Sequence, residues 1–245
     1  MAQVDAGVLT IQFDIGSISK GYSIDSSDKD IIIVTKCTPE KFMDYLYNRT
    51  LLVNNHTKTV DGNSTSVDLY KALHGIYTGR YYYLGVFTTK EDFLNTNGTY
   101  DMELYTFTRE LTRLRINNIL KTMMMYKIKG NNPDAPKFLL MTMFHLAYTE
   151  YWLKNNDFPD CVKLPSLLQK CNTRKKKVYR HLMRNRRENT VPLQRDIDYI
   201  NNWQYRLKIQ VSQLPATKNR YDVLKIIIMY MLGESNLYIP EINKV

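Results

Sequence analysis

The sequence predicts an α+β protein, on three observations. Strand patterns are confined to roughly the first hundred of its 245 residues, and long helical periodicities fill the remainder. A turn-rich stretch, Asn95–Thr99 (NTNGT), separates the two. The predicted organisation is a strand-bearing lobe over residues 1–98 and an all-helical lobe over residues 99–245.

The first elements carry the chemistry. Leu9, Ile11, Phe13 and Ile15 alternate with polar residues, the period of a half-buried strand. Gly16-Ser17 follows at once, a turn whose open amide groups suit an anion such as a phosphate, and Lys20 adds a point charge. Ser27-Asp28-Lys29-Asp30 then runs into Ile31–Val34, a β-branched buried strand. On an extended chain Asp28 and Asp30 point the same way. A lone Asp-x-Asp is also an ordinary charged strand entrance. Behind a Gly-Ser turn, however, two oxygen ligands beside a phosphate cradle make a magnesium–nucleotide site.

Gly16-Ser17, Ser19, Gly21 and Ser27-Asp28-x-Asp30 resemble the signature of the DNA polymerase β-like nucleotidyltransferase superfamily. The finer spacing, GSISKGYSIDSSDKD, looks most like the RNA-ligase-associated nucleotidyltransferases called RlaP, which also occur in large DNA phages. The resemblance implies a small mixed sheet with flanking helices in the N-terminal lobe. It implies Mg2+ or Mn2+ as cofactor and transfer of a nucleoside monophosphate from a nucleoside triphosphate to a hydroxyl. Asp28 and Asp30 would be the metal ligands, and Gly16, Ser17, Ser19, Lys20 and Ser27 would hold the nucleotide. Such sites also carry a third acid on a neighbouring strand. Asp61 and Asp68 are both candidates, the family position falls near Asn63, and neither is decided by the sequence.

The remaining elements follow in order. Pro39–Tyr47 reads as a helix beginning at proline, with Phe42, Tyr45 and Leu46 on one face. Leu51–Val53, His56–Val60 and Ser64–Val67 read as short strands. A helix then runs from Leu69 to Tyr77, with Asp68 in N-cap position. Arg80–Leu84 (RYYYL) suits packing at a core edge and stacking on bases alike. Met102–Lys129 is helical, with Met123–Met125 as core filler, and Gly130–Pro136 breaks it. Lys137–Leu153 is a strongly apolar helix that resembles the family's Lys-x-x-x-His-x-x-Arg helix through Lys137 and His145, with Tyr148 where the arginine would stand. His145 reads as a core histidine. Phe158–Leu168 reads as a proline-punctuated connector, Asp196–Val211 as a helix and Arg220–Leu232 as the last one. Before it, Ser212–Pro215 resembles the family's Ser-x-Leu-Pro turn.

Charge points to the partner. The chain carries a formal net charge of +10, and Lys170–Arg187 contains no acid. Arg174, Lys175, Lys176, Lys177, Arg180, Arg184, Arg186 and Arg187 are predicted to contact phosphates without reading bases. The expected acceptor is an RNA 3′ end, such as that of a tRNA, in RNA repair or modification. A protein or small-molecule hydroxyl and a catalytically inactive nucleic-acid binder stay open as alternatives. Cys37, Cys161 and Cys171 are scattered and read as reduced thiols. No signal peptide or membrane span is read from the sequence, so the expected location is cytoplasmic. The Asn-, Tyr- and Lys-rich composition fits an AT-rich viral genome, which would make that the host cytoplasm.

Overall fold

The computed structural model describes residues 10–49, 52, 54–59, 62–79, 101–125, 134–215 and 220–233. In chain order its elements are β1 (Thr10–Ile15), α1 (Gly16–Ser19), β2 (Asp30–Thr35), α2 (Pro39–Asn48), β3 (Asn54–Thr59), β4 (Gly62–Asp68), α3 (Leu69–Tyr77), α4 (Met102–Met124), α5 (Ala135–Asn155), α6 (Leu164–Gln169), α7 (Thr173–Glu188), α8 (Gln194–Ser212) and α9 (Arg220–Met231). The protein is mixed α+β, with one four-stranded sheet among the described residues. It divides into two compact units, and the chain passes between them four times. One unit takes Met1–Phe13, Ile31–Ile116 and Thr217–Val245; the other takes Asp14–Asp30 and Asn117–Ala216. The expected boundary at residue 98 lies outside the described residues, as do Arg80–Leu84 and Asn95–Thr99.

The first unit is built on the sheet, in the order β1-β2-β4-β3. β2 runs parallel to β4, from Ile31 opposite Ser64 to Thr35 opposite Asp68. β3 pairs antiparallel with β4, from Asn54 opposite Val67 to Thr59 opposite Gly62. The sheet is thus mixed. Ile11 and Phe13 are buried while Gln12 is exposed, as the alternation in β1 requires. Ile32 and Val34 are buried in β2, with Ile31 and Ile33 half-buried on its other face. Where two short strands were expected over 51–53 and 56–60, the described residues form one, Asn54–Thr59, and Leu52 is buried outside it. In α2 Thr38 caps the N-terminus, accepting from the Lys41 amide, and Pro39 opens the first turn. Phe42 is wholly buried and contributes about 2–3 kcal/mol by leaving water. Its expected companion Leu46 is exposed. α9 packs against α3, and Phe107 stacks on Tyr230 with ring centres 3.9 Å apart.

The second unit is organised on α5, against which α6, α7 and α8 all pack. The reason lies in its composition. Leu139, Leu140, Met143, Phe144, Ala147, Tyr148 and Trp152 leave few polar positions, and a helix apolar nearly all round must be covered. α7 starts at Asn172, whose side chain accepts from the Lys175 amide at 3.0 Å, and ends at a left-handed Asn189. Ile197, Ile200, Trp203, Leu207 and Val211 of α8 are buried as their spacing predicts. The expected connector over 158–168 contains a helix instead, α6, because Pro165 sits in the first turn where a missing N–H costs nothing. Met123 and Met124 fill core, whereas Met125 is exposed. No described helix is long and apolar enough to cross a membrane.

Candidate functional site

β1 ends at Ile15, and the chain turns at Gly16 with φ of +73°. A Cβ built on Gly16 would lie 3.1 Å from Oδ2 of Asp30. The bare glycine is what lets the first carboxylate of β2 stand against the Gly-Ser turn, and its left-handed backbone is the one glycine adopts without strain. The turn closes on itself: the Tyr22 amide donates to the Ser17 carbonyl at 3.0 Å, and the Ser19 hydroxyl to the Gly16 carbonyl at 3.3 Å. Ser27 closes a second ring, its Oγ accepting from the Ile24 amide at 2.8 Å while its own amide donates to the Ile24 carbonyl.

Arg186, from the far end of α7, reaches into these rings. Its guanidinium donates to the Tyr22 carbonyl, to the Ser27 hydroxyl at 3.0 Å and to the Ser17 hydroxyl at 3.5 Å. Two further ties hold the segment: the Leu164 amide donates to the Lys20 carbonyl at 2.8 Å, and the Tyr179 hydroxyl to the Gly21 carbonyl at 3.3 Å. Gly21, at φ +71°, is pressed close, since a Cβ there would meet Lys163 and Pro165 at 3.0 Å. Arg186 was expected among the RNA-facing bases. The structure instead places it on Ser17 and Ser27.

Lys20 also turns inward. It is 8% exposed, its Nζ lies 5.6 Å from the centre of the Phe144 ring, and among the described residues it has no carboxylate partner. Burial pulls its pKa down from 10.5 to about 8. His145 is fully buried, and burial, helped by the nearby Lys20 charge, pushes it down to about 3, so it stays neutral. That agrees with a core histidine.

Asp28 is exposed and Asp30 half-buried. Magnesium keeps water and substrate phosphates alongside one or two carboxylates, and Asp30 beside the glycine-cleared turn is a ligand of that type. No group of three or more His, Cys, Asp or Glu side chains placed to hold a metal occurs among the described residues. Asp68 lies opposite Thr35, the last residue of β2. Its carboxylate caps α3, accepting from the Tyr70 amide at 2.8 Å, and burial raises its pKa. It in turn helps push the buried Cys37 thiol up to about 12. Asn63, near which the family position falls, lies exposed on β4, opposite Lys58 of β3. Asp61 lies outside the described residues.

The basic residues of α7 part ways. Arg174, Lys177, Arg180, Arg184 and Arg187 are exposed and Lys176 half-buried. Lys175 is buried: it pairs with Glu150 and lies 4.2 Å from the Trp203 ring centre, which removes it from the expected phosphate contacts. The signal was in the sequence, because Lys175, Tyr179, Leu182 and Arg186 recur at four, three and four residues, the inward stripe of one helix.

No protein-family model matches the chain. The chain is similar to the protein Early 65 kDa of Autographa californica nuclear polyhedrosis virus, 30% identical over an alignment of 274 residues that covers 94% of this chain. The alignment covers 48% of the viral protein, so the chain spans about half the length of that relative.

Proposed function

We propose that the chain is a metal-dependent nucleotidyltransferase of the polymerase β-like kind, which moves a nucleoside monophosphate from a nucleoside triphosphate to an RNA 3′ hydroxyl. The observation that carries the reading is the approach of the Asp30 carboxylate to Gly16, with Arg186 fastening Ser17 and Ser27 around the same turn. Asp28 and Asp30 would hold magnesium, which neutralises triphosphate charge and polarises the reacting phosphate. Ser17, Ser19 and Ser27 offer hydroxyls to the triphosphate, and Lys20 and Arg186 balance its charge from behind the turn. Asp61 is the remaining candidate for the third acid. The acceptor oxygen bonds to the α-phosphorus, the α–β bridging bond breaks, pyrophosphate departs, and the hydroxyl proton passes to water. The basic face of α7 favours RNA as the acceptor.

The test supplies magnesium, each α-labelled nucleoside triphosphate in turn and total RNA to the wild type and to Asp28→Ala/Asp30→Ala. Label on RNA with the wild type alone is the expected result. Label on protein would make this an enzyme that modifies proteins. A second reading, an inactive relative that only binds nucleic acid, is favoured by the helix-capping role of Asp68, which occupies one of the two candidates for the third acid. It predicts RNA binding at low salt with no transfer.

A further inference from the structure

α8 presents a face that neither its core nor the nucleotide motif uses. Arg195, Tyr199, Asn202 and Arg206 recur at four, three and four residues, with Asp198 and Tyr205 beside them, away from the buried stripe of Ile197, Ile200 and Leu207. Together with Asn172 and Arg174 at the start of α7 they enclose a cavity of about 700 Å3. A second, of about 410 Å3, shares the Arg174, Arg195 and Tyr199 walls and continues towards Lys177. A third, of about 440 Å3, shares Asn172 and Arg206 and continues to Gln210. The three adjoin in a groove along α8 from Arg195 to Gln210, about 22 Å at 1.5 Å per residue. That length takes about six nucleotides at stacked spacing.

Its walls have the chemistry of a single strand. Tyr205 is 67% exposed, an unusual position for so large a ring, and the Arg174 guanidinium lies 4.6 Å from the Tyr199 ring centre. Arg174, Arg195 and Arg206 outnumber Asp198 in the cavity of about 700 Å3, where a 2.8 Å hydrogen bond from Gln194 occupies that carboxylate. The carboxylates of the two adjoining cavities, Asp196 and Glu150, are engaged by His181 and Lys175. Rings between arginines, here the exposed Tyr205 and the half-buried Tyr199, stack bases while the cations follow the phosphates, and carboxamides such as Asn202 meet base edges. The exposed bases of α7 continue the positive charge beyond the groove. We infer that the α7–α8 groove binds single-stranded RNA by stacking its bases on Tyr199 and Tyr205. The inference deepens the RNA-acceptor reading and rests on it for the choice of RNA, but it departs from phosphate contact alone.

The test follows the anisotropy of a short fluorescein-labelled single-stranded RNA with the full chain at low salt, without nucleotide or divalent metal. Tyr199→Ala/Tyr205→Ala is expected to weaken binding about tenfold or more, while Tyr199→Phe/Tyr205→Phe, which keeps both rings, stays within about twofold. Arg195→Gln/Arg206→Gln is expected to flatten the slope of log affinity against log salt by about 1.4, two phosphates at about 0.7 each. Equal far-UV melts show that the variants are folded. Absence of wild-type binding, an alanine variant within about twofold of wild type, or a phenylalanine variant as weak as the alanine one overturns the inference. So does an acidic peptide that displaces RNA as well as unlabelled RNA does, or a DNA strand of the same sequence that binds more tightly. Asp28→Ala/Asp30→Ala is expected to bind the RNA as the wild type does. Failed transfer with ring-dependent binding would sink only the transferase reading, and transfer with ring-independent binding only the groove.

Discussion

At Gly16 any side chain would meet two separate penalties. The backbone sits at φ +73°, which costs an L-residue about 1–2 kcal/mol, and the new Cβ would press on Asp30 at 3.1 Å. Gly16→Ala is therefore expected to lower stability by about that amount and to abolish label transfer, as read by a thermal melt beside the transfer assay. Asp68→Asn should behave oppositely: asparagine caps a helix as well as aspartate, and replacing a carboxyl whose pKa is raised by burial relieves its desolvation. Stability should hold or rise and transfer should continue, and a loss of transfer with an intact fold would restore Asp68 as a metal ligand. Lys20 makes a pH prediction. Below pH 8 it is protonated both folded and unfolded, and the cost of burying its charge is fully present. Between pH 8 and 10.5 the unfolded chain keeps a proton that the folded one has shed, so stability rises with pH, and above 10.5 the cost is gone. Lys20→Met should stabilise the protein by roughly 3 kcal/mol at neutral pH and by nothing at pH 11, measured by denaturant titration at each pH. The Gly16–Asp30 approach was legible because strand, turn and strand are local. The inward turn of Lys20 was not, because it depends on Phe144, which nothing near Lys20 announces.

Among the elements, α7 shows how a charged helix divides its labour. Its inward stripe carries Lys175 to Glu150 and Arg186 to the serines, while its outward face keeps Arg184 and Arg187 in solvent. Arg186→Gln is expected to weaken nucleoside triphosphate binding tenfold or more, since hydrogen bonds from a charged donor contribute about 1.5–3 kcal/mol, and to change RNA binding little. Arg184→Gln/Arg187→Gln is expected to do the reverse, with a flatter salt dependence. Separate titrations with nucleotide and with RNA read both, and equal losses in the two would contradict the division. Composition alone had grouped all eight basic residues together; periodicity would have separated Lys175 and Arg186. α5 was legible throughout, since its apolar sequence admits only a covered helix. α6 was not, because a proline that opens a helix and one that interrupts a connector look alike in sequence.

For the whole molecule, strands followed by helices were legible in the sequence, while the grouping of segments into compact units was not. Compactness follows neighbours in space, and the chain lends residues 14–30 to the helical unit and residues 217–245 to the sheet unit. Fragments cut at the compositional boundary are accordingly expected to fail. Residues 1–98 lack α9, and residues 99–245 lack the segment held by Leu164, Tyr179 and Arg186. Each should show poor amide dispersion and a broad melt, whereas the two co-expressed should recover a cooperative one. A dispersed spectrum from residues 99–245 alone would show that the borrowed segment is dispensable.

The borrowed segment also sets a clock. Gly16 to Asp30 leaves the ribosome early, yet its staple, Arg186, is made roughly 150 residues later. At about 5–20 residues per second, residues 16–30 wait roughly 8–30 s for that guanidinium, held until then by their own short-range hydrogen bonds. A nascent chain stalled anywhere in that interval carries residues 16–30 without the guanidinium that joins Tyr22, Ser17 and Ser27, so that link can form only late in synthesis.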